Sequence, residues 1–141
     1  MVHALKEIRR SLVRDGVLVD LRPLADHTRV EVSSSRETLQ VGHVTQAPED
    51  LANDEAANRA IAEAVQQGWF TRERQESFLF SYYWDSPSEM QEYVEEEWAD
   101  FLTIDEELWR KVRSKWAVAD GDARLRLPLK LVIARYRKHG I

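Results

Sequence analysis

The stretch "LVRDGVLVDLRP", Leu12 to Pro23, most constrains what this chain can fold into. Ahead of it, Leu5, Ile8 and Leu12 recur at helical spacing, with Lys6, Glu7, Arg9 and Arg10 on the other side. Asp15-Gly16 then predicts the helix stop, because glycine tolerates the left-handed conformation that closes a helix. Val17, Leu18, Val19 and Leu21 follow as an almost uninterrupted apolar strand, which Arg22-Pro23 ends. A continuous apolar run, as opposed to an alternating one, implies cover on both faces, as in layered α/β architecture.

Downstream, "HTRVEVSS" and "ETLQVGHV" alternate at strand period and are joined by Ser33-Ser34-Ser35-Arg36, which predicts a hairpin. "PEDLANDEAANRAIAEAVQQG" predicts a helix with apolar positions Leu51, Ala57, Ile61 and Val65, stopping at Gly68. "ESFLFSYYWD" is an aromatic strand with Phe78, Phe80, Tyr82 and Trp84 on one face. In "SPSE", Ser86 caps a helix, Pro87 takes its first position and Glu89 closes a capping box. "TIDE", Thr103 to Glu106, predicts the same box for a second helix carrying Leu108, Val112 and Trp116. After the turn Asp120-Gly121-Asp122, "ARLRLPLKLVIARYR" is a long strand interrupted at Pro128, which has no N–H to donate. The order predicts an α+β fold, a mixed, largely antiparallel sheet of about four or five strands with helices packed on it.

A length of 141 residues supports a single domain, residues 1–141. The absence of cysteine excludes disulfides, thiolate nucleophiles and cysteine-based metal sites. "MVHALKEIRR" lacks the apolar core of a signal peptide, and no apolar run is long enough to span a bilayer, so a cytoplasmic protein without membrane association is expected. The net charge of −5 conceals an asymmetry: ten acidic residues and no Lys or Arg from Asp85 to Glu107, then ten Lys and Arg from Leu108 to the end. The cations of the last strand alternate with apolar residues, which reads as a solvated strand face and argues against a nucleic-acid partner.

"ALKEIRRSLVRDGVLVDLRP" resembles the helix and fifth strand of a class I S-adenosylmethionine-dependent methyltransferase, through Ala4, Leu5, Glu7, Ile8, Arg10, Leu12, Gly16 and Val17 to Leu21. Asp15 stands where that family usually has the first of two glycines. "ESFLFSYYW" and "LKLVIARYRK" fall where the family has its sixth and seventh strands, and the resemblance implies that the seventh runs antiparallel between the fifth and sixth. It therefore covers the family's C-terminal half. The family cradles its cofactor on a glycine-rich loop after its first strand, a logic shared with dinucleotide-binding turns. Here Gly16, Gly42, Gly68, Gly121 and Gly140 are scattered, with no two within ten residues, and no cofactor is expected to bind the isolated chain.

Other chemistry is sparse. His3, His27, His43 and His139 have no metal-ligand spacing, so no metal site is expected. His27 and His43, with Asp26 nearby, could meet across the hairpin, but chance placement on an exposed hairpin explains them better. No serine sits in a nucleophile elbow, and Glu95-Glu96-Glu97 fan around a helix as a solvated face. No catalytic residue is assigned. The candidate ligand-facing residues are Asp20 and Arg22, at the end of the apolar strand, and Tyr82 and Trp84 of the aromatic strand. An Asp20–Arg22 pair and an aromatic core are the competing structural explanations. The resulting expectation is a methyltransferase-like module without its own cofactor site, forming a homodimer through the Val17–Leu21 edge. The alternatives are the substrate-side subunit of a split methyltransferase, completed by a companion cofactor-binding chain, and a small hydrophobic-ligand-binding α+β protein.

Overall fold

The computed structural model describes residues 1–24 and 28–140. In chain order these form α1 (Val2–Ser11), β1 (Val17–Leu24), β2 (Arg29–Ser33), β3 (Thr38–His43), β4 (Thr45–Gln46), α2 (Pro48–Gln66), β5 (Phe70–Trp84), α3 (Pro87–Glu97), β6 (Leu102–Thr103), α4 (Glu106–Ala117) and β7 (Arg124–Lys138). The hydrogen-bonded strand order β1-β7-β2-β3, with β5 also paired to β7, makes a largely antiparallel five-stranded sheet, and β4 and β6 form a separate pair. The fold is α+β. The described residues fall into two compact units, one of residues 1–24, 51–78 and 131–140 and the other of 28–50 and 79–130.

The first unit is built around Leu5 of α1, Ala60 and Ala64 of α2, Phe70 of β5 and Ala134 and Tyr136 of β7. Helix α1 leaves the helical conformation at Leu12, earlier than the Asp15-Gly16 stop expected from sequence. The left-handed residue of the following turn is Asp15, with φ 58°, not Gly16. Gly16 is needed for space: a Cβ there would lie 2.9 Å from the Val13 carbonyl oxygen, which accepts the Gly16 N–H at 3.0 Å. Buried Lys138 closes the end of α1 by donating from Nζ to the Leu12 carbonyl at 2.6 Å, placing a cation on unpaired helix carbonyls. The Lys138 N–H also donates to the Gly16 carbonyl at 2.9 Å, so the end of β7 meets the start of β1 and the two run antiparallel.

Helix α2 buries alanines, Ala57, Ala60 and Ala64, while Leu51 and Val65, expected on its core stripe, are exposed. Its end follows a Schellman pattern: Gly68, with φ 72°, donates to the Val65 carbonyl at 3.0 Å and Trp69 to the Ala64 carbonyl at 3.0 Å. The Arg9 guanidinium lies 5.7 Å from the Trp69 ring centroid. Its buried Nε has no hydrogen-bond partner among the described residues, and the cation lies over the ring face. Strand β5 begins at Phe70, well before the aromatic run that announced it.

In the second unit Val30, Val32, Met90, Leu108, Val112, Leu125 and Leu127 belong to one core. The predicted hairpin forms as β2 and β3, with a bulge between Val30 and Glu31. Glu31 is 2% exposed and lies opposite Arg126 of β7 in register. It pairs with Arg126 Nη1 at 3.0 Å and Arg29 Nε at 3.2 Å, and Arg126 Nε donates to Ser81 Oγ at 3.0 Å. A buried carboxylate persists only when its charge and lone pairs are met in this way. Ser86 caps α3 as expected, accepting the Glu89 N–H at 3.2 Å. The cap of α4 is Asp105, which accepts the Leu108 N–H at 2.7 Å; Thr103, expected there, belongs to β6 instead. Gly42 gives Leu108 room, since a Cβ would come 2.7 Å from Leu108 Cδ1. The hairpin tip is clasped to the turn before β7 by Ser34 Oγ to Asp120 at 3.1 Å and Ser35 N–H to Asp122 at 3.0 Å. Hydrogen bonds from Ser35 hold the Asp122 carboxyl below its ordinary range.

Exchanging the roles of the turn residues tests this reading of Asp15-Gly16. Gly16→Ala is expected to cost about 2 kcal/mol through the forced shift against Val13. Asp15→Gly is expected to change stability by less than about 0.5 kcal/mol, because the relief of its left-handed backbone is offset by a more flexible unfolded chain. Urea denaturation of the two variants measures both.

Candidate functional site

Strand β1 alternates between half-buried and exposed residues instead of being covered on both faces. Leu18 packs into the first core, whereas Val19 is 58% and Leu21 54% exposed. The strand also runs on through Arg22-Pro23 to Leu24. At period two, Asp20 and Arg22 share the Leu18 side. They bond to each other, with Arg22 Nε 3.0 and 2.9 Å from the two Asp20 carboxylate oxygens, and both are partly buried.

Arg22 lines a cleft of about 820 Å³ in the first unit. One wall comes from the second half of α2, including Ile61 and Val65; another comes from the start of β5, with Thr71, Arg72 and Gln75. Tyr136 and His139 supply the remainder from the end of the chain. Arg72 Nη1 donates to Gln75 Oε1 at 3.1 Å, and Thr71 Oγ1 is hydrogen-bonded to His139 Nε2. The His139 N–H donates to the Trp69 carbonyl at 3.0 Å, which runs β7 antiparallel to β5 here. Burial and then the nearby Asp20 charge push the Tyr136 phenol above its ordinary value, against the opposing pull of Arg72 and Arg22. Tyr136 therefore stays protonated as a hydroxyl at the cleft.

Tyr82 and Trp84 belong to the second unit and do not line this cleft. Their rings pack with Tyr93 and Trp98. Tyr82 meets Trp98 edge-on at 4.7 Å, Trp84 meets Trp98 edge-on at 5.7 Å, and Tyr93 meets Trp98 at 5.0 Å. Tyr82, Trp84 and Trp98 pack against the second core, and Tyr93 stands partly exposed beside them. Phe80 extends it edge-on to Tyr82 at 5.2 Å.

Sequence reasoning missed Arg72, Gln75 and Tyr136 as site residues. The available signal was the period-two polar pattern Thr71, Glu73 and Gln75 against Arg72, Arg74 and Glu76, which marks a strand without an apolar face. Of the three residues considered for a meeting across the hairpin, Asp26 and His27 lie outside the described residues, and His43 is exposed.

Among the described residues no three or more His, Asp or Glu side chains gather where they could hold a metal ion, and no helix is long and apolar enough to cross a membrane. No protein-family model, curated protein or solved structure matches the chain.

The raised phenol of Tyr136 links the site to stability. Because its folded value lies above the ordinary 10.0, its contribution is fully present below that pH and is lost as pH rises through it towards the folded value. Thermal melts across this alkaline range are expected to show a decline that is shallower in Tyr136→Phe than in the unsubstituted chain.

Proposed function

We propose that this chain is a self-associating binding and structural module of methyltransferase-like ancestry, without an S-adenosylmethionine site of its own in these residues. Strand order supports the ancestry: β7 pairs with both β1 and β5, the arrangement that the resemblance implies for its seventh, fifth and sixth strands. The glycines support the missing cofactor site. Gly16 and Gly42 relieve contacts with Val13 and Leu108, and Gly68, Gly121 and Gly140 stand in open space, so none contributes to a shared cradle.

The observation that carries self-association is the exposure of Val19 and Leu21 on β1, a strand that ends the hydrogen-bonded order. An edge of this kind offers unpaired backbone groups beside apolar side chains, which favours pairing with another chain. The occupant proposed is a second copy of the chain, joined about a twofold axis along Val17–Leu21. The first half of β5 is a poorer edge for this purpose, since Arg72, Glu73, Arg74 and Glu76 place charge along it, whereas the exposed Phe78, Leu79 and Phe80 follow only beyond them.

Light scattering coupled to size exclusion tests the proposal. The unsubstituted chain is expected to elute with the mass of two chains at micromolar concentration. Val19→Lys and Leu21→Lys are each expected to weaken association by about tenfold or more, as loss of an apolar contact of this size implies. A monomeric unsubstituted chain, or variants that dimerise unchanged, would overturn it.

A further inference from the structure

The cleft in the first unit has a chemical bias independent of the dimer. Its lining contains Arg22, Arg72 and His139 and no carboxylate. Asp20, whose charge reaches Tyr136, is bonded to Arg22. Tyr136 and Thr71 add hydroxyls to the same lining. The carbonyls at the end of α2 that would disfavour an anion are bonded to the Gly68 and Trp69 N–H groups.

The opposite wall, from α2, sets the apolar Ile61, Ala62 and Val65 between Asn58 and Gln66. Helix α2 turns Ala57, Ala60 and Ala64 to the core and leaves its bulkier Ile61 and Val65 lining the cleft, Ile61 half-buried and Val65 exposed. Core packing therefore does not explain why a branched side chain stands at position 65. A concave site with apolar walls and a few convergent polar groups is the usual form of a small-molecule site.

We infer that this cleft binds a small amphipathic carboxylate, with the anionic head towards Arg72, Arg22 and His139 and the apolar body along Ile61 and Val65. Arginine suits the head because its planar fork matches a carboxylate. The volume accommodates a chain of medium length.

Titration of the full chain with sodium octanoate, followed by amide NMR, tests this. Saturable shifts are expected at residues 58–75 and 136–139. Octanamide, which keeps the apolar body and lacks the charge, is expected to bind about tenfold more weakly, and Arg72→Met to lose a similar factor for octanoate. Arg72 is exposed, so the variant's spectrum in the absence of octanoate shows whether the fold is intact. Shifts that never saturate, shifts centred elsewhere, equal affinity for octanamide or an unaffected Arg72→Met would each overturn the inference.

Discussion

Strand β7 is the constraint on which the rest of the structure depends. It pairs with β1, β2 and β5, and it gives Leu125 and Leu127 to one core and Ala134 and Tyr136 to the other. Several of its charged residues are committed as well: Arg126 meets buried Glu31, Arg135 and Arg137 meet Glu73, and Lys138 closes α1. Pro128 lies within this strand without ending it. It sits beyond Arg126, the last β7 residue in register with β2, so no β2 partner calls on the N–H that proline lacks.

Strands β1 and β5, both paired to β7, manage their exposure differently. Along β5, residues 71–80 are all exposed: Arg72, Glu73, Arg74 and Glu76 carry charge, and the apolar Phe78, Leu79 and Phe80 follow. Glu73 is held ionised by its hydrogen bond to Arg137 and by the charges of Arg137 and Arg135, which lowers its carboxyl below the ordinary range. Along β1 the exposed positions are Val19 and Leu21, followed by Pro23, which suits an edge and limits pairing to the residues before it. The contrast between the charged first half of β5 and the apolar exposed positions of β1 supports β1 over residues 71–76 as the associating surface.

Much of this architecture was legible in the sequence wherever local chemistry decides the outcome. Ser86-Pro87 starts a helix because cap and proline act within one turn, and the hairpin expected at Ser33–Arg36 forms for similarly local reasons, its turn lying at Ser34–Glu37, where the Ser34 N–H donates to the Glu37 carbonyl. Where two local solutions compete, tertiary packing chose. Asp105 displaced Thr103 as a cap because Thr103 pairs with Thr45, and Asp15 took the left-handed turn because Gly16 was needed against Val13. The apolar run Val17–Leu21 reads as covered on both faces, yet only the neighbours of a strand decide which face is buried. The candidate site was half legible for the same reason. Asp20 and Arg22 could be placed at a strand end, and the polar period of 71–76 marked an exposed strand, while the pairing that brings Tyr136 and His139 to the cleft leaves no spacing signal.

Hydrogen–deuterium exchange at two protein concentrations tests the central claim most directly, because it reads the backbone of each edge separately. Self-association through β1 predicts that amides of Val17–Leu21 exchange more slowly at the higher concentration, while those of 71–77 in β5 keep the same rate. Concentration-independent exchange in β1, or protection that develops along β5 instead, would contradict it.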